Sequence, residues 1–135
     1  MNDVVEHLIE PLSALRSIRE LLTPQGVLIL HTPNVATWRR RIRLLIGDFP
    51  STATGQEGLL DWKGKPVTSL DDAHLHYFTW SSVTRVLKEW AGFSVVEWHG
   101  YNRRGRLGQR FPAFSRELGR RWPTLFSECC IVARR

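Results

Sequence analysis

The sequence predicts an α/β fold of about three strands flanked by helices. Two observations carry this. An amphipathic helical pattern twice runs across a Gly-containing turn into a short apolar run, over residues 11–32 and again over 79–101. A further apolar run, 128–135, closes the chain. In order, "PLSALRSIRELL" (11–22) reads as a helix because Leu12, Leu15, Ile18 and Leu22 recur at spacings of three and four. Pro11 suits the first helical position, where a missing N–H costs nothing. Arg16 and Arg19 fall off the stripe, and Pro24 and Gly26 end the helix. "VLILHT" (27–32) is continuously apolar rather than alternating, the pattern of a strand buried on both faces. Pro33-Asn34 breaks it, and loops after strand carboxyl ends are where open α/β sheets bind ligands.

"VATWRRRIRLLIG" (35–47) predicts a helix with Trp38, Ile42, Leu45 and Ile46 inward. Residues 48–73 lack periodicity and read as a long loop, a lid or binding segment, in which Leu59, Leu60 and Trp62 pack. The next helix starts at Thr79 as N-cap, carries the stripe Val83, Val86, Leu87 and Trp90, and stops at Gly92. A strand follows at 93–101, then a basic insertion at 102–126 with a short helix in "AFSRELGRRW", then the last strand. Its adjacent Cys129 and Cys130 point to opposite faces. The strand at 27–32 has one lateral edge with no evident neighbour, open to pairing with another chain. The isolated chain is therefore expected to be marginally stable or self-associating.

At 135 residues, 42% hydrophobic and 24% charged, the chain suits one domain, 1–135, with a core of its own. No apolar run reaches transmembrane length, and the first residues are acidic rather than the basic start of a signal peptide. A cytoplasmic setting follows, with both cysteines reduced. The net charge of +6 is concentrated in Arg39, Arg40, Arg41 and Arg43 and in Arg103, Arg104, Arg106 and Arg110. Such clusters suit an anionic partner or a solvated surface; few interleaved aromatics are present to stack bases, so nucleic acid is not favoured.

Three features combine in "NDVVEHLIEPLSALRSIRELLTPQGVLILHTPN": an Asp followed by Glu-His, a Pro-started helix, and an L-x-P-x-G turn into a strand ending in Pro-Asn. This resembles the class I S-adenosylmethionine-dependent methyltransferases (the type 11/23-like group) from the end of their fourth strand through their fifth. "DDAHLHYFTWSSVTRVLKEWAGFSVVEWHGY" is similar to the His-x-x-x-Phe-Thr segment that follows in such proteins. The resemblance implies a partial Rossmann-like fold in which the last two strands form an antiparallel hairpin. It also implies S-adenosylmethionine as cofactor, with Asn2 and Asp3 beside its methionine part. The Gly-rich turn that holds the rest of the cofactor in this family has no counterpart in the sequence, so the chain is expected to be the carboxyl-terminal half of a methyltransferase domain. The alternative is a non-catalytic fragment that acts by association, through the strand edge or the basic clusters.

Methyl transfer from a sulfonium is an in-line displacement that chiefly needs alignment. A hydroxyl acceptor also needs a proton acceptor, and an imidazole titrates near neutral pH. His7, oriented by Glu6, is the candidate catalytic pair. Asn34, His74, His76 and Phe78 are the candidate acceptor pocket, for a small molecule, glycan or lipid. No metal is expected. The D-x-x-E-H spacing of Asp3, Glu6 and His7, with the later His76-x-Phe78-x-Trp80, nevertheless resembles segments with which small-RNA 2′-O-methyltransferases hold a divalent ion. That resemblance names Asp3, Glu6, His7 and His76 as the ligands of a metal-assisted alternative.

Overall fold

The computed structural model describes residues 1–47, 74–102 and 110–135. The expected loop at 48–73, and the part of the basic insertion at 103–109, lie outside the described residues. A short 3₁₀ turn, Val5–His7, leads into α1, Pro11–Leu21, whose first residue is the proline the sequence placed there. The strand β1 covers Val27–Pro33, α2 Trp38–Leu45, and α3 Trp80–Arg85 continues as a π turn over Val86–Trp90. The strand β2 covers Ser94–Tyr101, α4 Pro112–Arg121, and β3 Glu128–Arg134.

The sheet order is β1-β3-β2, both pairings antiparallel. β2 and β3 therefore form the antiparallel pair the resemblance implied, with a bulge between Val95 and Glu97. The central strand β3 puts Cys129 on the buried face, at 0% exposure, and Cys130 on the other, as the two-residue period requires. Burial and the neighbouring Glu128 push the Cys129 thiol up to about 12, so it behaves as an apolar residue.

One face of β1 holds Leu28 and Leu30, which join Ile131 and Ala133 of β3 in the core. Leu15 of α1, Val83 of α3, Leu87 of the π turn, and Val5, Phe78, Ala91 and Phe93 complete it. The other face of β1 is open at its start: Val27 is 44% and Ile29 56% exposed. The two-faced burial expected for 27–32 thus holds only from His31 onward, where His31 and Thr32 are both buried. The missing lateral neighbour is the chain's own start. Met1 and Asp3 pair with His31 in parallel, His31 N–H donating to Met1 C=O and Asp3 N–H to His31 C=O, each at 3.0 Å. The edge expected to be open is therefore occupied along Ile29–His31.

Thr79 caps α3 as anticipated, within a reciprocal capping box with Ser82. The expected stripe of α3 breaks at Trp90, which is 58% exposed. The cause is the π turn: Ala91 N–H bonds Val86 C=O at 2.8 Å, one residue farther back than in an α-helix. The wider turn rotates Trp90 off the stripe and brings Ala91 and Phe93 into the core instead. Arg16 and Arg19, off the stripe of α1, reach this end. Their Nε atoms donate to Trp90 C=O at 3.0 Å and Gly92 C=O at 2.8 Å, satisfying carbonyls that the helix leaves bare. A second correction concerns α2, which has no buried residue: Trp38, Ile42, Leu45 and Ile46, expected inward, are 49%, 50%, 85% and 69% exposed.

Candidate functional site

The carboxyl end of β1 gathers most of the residues singled out above. The 3₁₀ turn Val5–His7, closed by His7 N–H to Val4 C=O at 3.0 Å, turns Val5 and Glu6 inward and leaves His7 exposed. Glu6 is 1% exposed. Its Oε2 accepts a hydrogen bond from Thr32 Oγ1 at 3.0 Å, and its Oε1 is buried with no hydrogen-bond partner among the described residues. The Glu6 backbone carbonyl accepts from both Leu75 N–H, at 2.9 Å, and His76 N–H, at 3.0 Å. Those two bonds bring a segment nearly seventy residues downstream onto the turn. They set the His74 ring edge-on against His7, with centroids 4.7 Å apart and planes at 74°.

Beside this lies a second polar group. Asp3 holds a positive φ of 48°, a conformation Asp tolerates better than most residues. Its Oδ1 lies 3.0 Å from Nδ1 of the buried His31. His31 Nε2 is buried without a hydrogen-bond partner among the described residues, and the Tyr101 ring lies 5.0 Å from the His31 ring. Across the sheet, His31, Cys130 and His99 stand in one register row. Burial pushes the His99 imidazole below its ordinary value; Glu97 opposes this, while Arg116, His31 and Arg120 add to it.

The remaining candidates separate by role. His76 lies with its ring 6.3 Å from Phe78, and Phe78 is buried in the core, its carbonyl accepting from Val35 N–H at 2.9 Å. Asn34 is fully buried and its side chain is committed: the amide donates to Thr124 C=O at 3.2 Å and Phe126 C=O at 2.9 Å, and Oδ1 accepts from Ala36 N–H at 3.0 Å. It ties the end of β1 to the approach to β3. Asn2 is exposed on the strand edge. So Glu6, His7 and His74 come together, Asp3 sits one layer over on His31, and His76 points elsewhere along the same segment. His31 and Thr32 were not singled out in the sequence, although two polar residues ending an apolar strand are the signal that could have found them. A separate cleft of about 340 Å³, lined by Glu97, Trp98, Glu117, Arg120 and Arg121, opens between β2 and α4, at the opposite edge of the sheet.

The profile of a methyltransferase domain family matches residues 1–98, so the match spans β1, α3 and Asp3, Glu6, His7, His31, Thr32 and His74. The chain belongs to this methyltransferase domain family, and methyl transfer to some acceptor is the activity that membership carries. No curated protein matches the chain. No helix among the described residues is long and apolar enough to cross a membrane.

Proposed function

We propose that the chain takes part in methyl transfer from S-adenosylmethionine to a hydroxyl of a small-molecule, glycan or lipid acceptor. It would act together with a Gly-rich cofactor-binding segment that these 135 residues do not contain. The observation that carries the reading is the docking of Leu75 and His76 on the Glu6 carbonyl, which assembles Glu6, His7 and His74 at the carboxyl end of β1. That end is where open α/β sheets place ligands. Residues 1–3 running parallel beside β1, and the antiparallel β2–β3 pair, accord with the family's strand order as the sequence resemblance implies it.

In this arrangement the protein contributes alignment. Asp3, held by its backbone and by His31, borders the donor. His7, exposed at the rim, takes the acceptor's proton as the new bond forms to the methyl carbon and the sulfonium leaves as a neutral thioether. The fixed Glu6 carboxylate keeps the rim polar beneath it.

Ultraviolet cross-linking of methyl-labelled S-adenosylmethionine to the gene product expressed from its own locus tests this. Label is expected in peptides from 1–9 or 31–36. Absence of label, or label confined to α4, overturns the proposal. Absence of label together with concentration-dependent sedimentation would instead support a fragment that acts by association.

A further inference from the structure

Glu6, His7 and His74 each present a ligand atom within 4.8 Å of the other two, although His74 is far away in sequence. One carboxylate and two imidazoles form a donor set suited to a borderline divalent transition ion. The set has features of a built site. Glu6 is 1% exposed, a position where a carboxylate needs compensation, yet Oε1 has no hydrogen-bond partner among the described residues. Its other oxygen is fixed by Thr32 Oγ1, the kind of outer hydrogen bond that orients a ligating carboxylate. The Glu6 carbonyl holds the His74 segment in place through two backbone N–H groups. His7 is exposed and His74 partly so, which leaves an entry path from solvent.

We propose that Glu6, His7 and His74 bind one divalent transition-metal ion of the Zn²⁺ or Co²⁺ type. This departs from the expectation of no metal, and it departs from the ligand set read off the sequence. Asp3 is taken up by His31, and His74 rather than His76 faces Glu6 and His7. An ion held on the basic nitrogen of His7 would displace its role as proton acceptor, so that role belongs to the metal-free chain; three protein ligands leave a coordination position open for water or an acceptor oxygen. Only that last role rests on the methyl-transfer reading; binding of the ion does not.

The test uses the full chain without a polyhistidine tag, stripped with chelator and titrated with Co²⁺ alone, with no cofactor or acceptor present. Visible d–d absorption saturating at a single equivalent is expected, with Zn²⁺ displacing it. His7→Ala and His74→Ala should each lose the absorption, Thr32→Val should weaken binding by roughly 10- to 100-fold, and His76→Ala should leave it unchanged. Both histidine substitutions fall at positions with solvent access, so unchanged far-ultraviolet dichroism would separate lost ligation from lost folding. No Co²⁺ absorption in the wild-type chain overturns the proposal. So does equal binding by the His7→Ala/His74→Ala double variant, or loss on His76→Ala with retention on His74→Ala. A chain that binds Co²⁺ but takes no label from S-adenosylmethionine would keep the metal site and remove the methyl-transfer reading.

Discussion

The contact between Glu6 and Thr32 makes a sharp prediction, because it is a single hydrogen bond between two buried side chains. Thr32 is 0% and Glu6 1% exposed, with Oγ1 donating to Oε2 at 3.0 Å. Thr32→Val keeps the side-chain volume and opens no cavity, so it removes only the donor. The Glu6 carboxylate, already lacking a hydrogen-bond partner for Oε1, then loses the one that holds Oε2. A hydrogen bond to a charged group contributes about 1.5–3 kcal/mol, and that is the expected cost of the single change. Glu6→Met removes the charge at similar length but strands the Thr32 hydroxyl, at about 1–3 kcal/mol. With both partners apolar, neither position leaves a side-chain polar group buried without a partner. The double variant should therefore match or exceed the wild-type chain, as replaced buried polar pairs often do. Urea unfolding followed by tryptophan fluorescence, in chelator, reads this as shifts in midpoint at constant slope. Thr32→Val within about 0.5 kcal/mol of wild type, or a double variant as unstable as the sum of the singles, would refute the reasoning. The stability recovered by the double variant would measure what the fold gives up to keep a carboxylate at this position.

Further expectations follow from other contacts. At Gly119 an added Cβ would lie 2.0 Å from the Gly100 carbonyl oxygen, so Gly119→Ala must push α4 off β2; a loss of about 1–3 kcal/mol from overpacking should outweigh the usual helical gain of about 1 kcal/mol, and a thermal melt above that of wild type would contradict it. The His99 imidazole has a lowered folded pKa, so between that value and the ordinary 6.5 the unfolded chain binds more protons. Stability should therefore be full above 6.5 and fall as pH drops through this window, and His99→Gln should flatten the fall in acid melts. Arg19→Ala removes the donor to Gly92 C=O and should cost about 0.5–1.5 kcal/mol, with faster amide exchange at Ala91 and Phe93; unchanged exchange at both would argue against the cap.

The amphipathic spacing of 11–22 and 79–92 and the apolar runs at 27–32, 93–101 and 128–135 were legible because they depend on local periodicity. What periodicity cannot show is whether anything lies over a face. The apolar positions of α2 share a side as their spacing demands, yet they are exposed, and the first half of β1 is covered on one side only. Nor does it anticipate a change of helical pitch, which is why Trp90 left the stripe at the π turn. At the site, the Asp-Glu-His spacing drew attention to residues 3–7, which include the 3₁₀ turn Val5–His7, but did not give their partners. Asp3 takes a left-handed backbone and turns to His31, which sat unremarked inside an apolar run. The choice between His74 and His76 is of the same kind. His74 and His76 flank a bend at Leu75, so the one beside His7 is decided by where the segment is pinned. The pins are the N–H groups of Leu75 and His76 on one carbonyl, that of Glu6. Main-chain groups carry no residue identity, so sequence could name the histidines but not select between them. A slip of that pinning by two residues would exchange the two imidazoles, which is why His74→Ala and His76→Ala must be compared in one experiment.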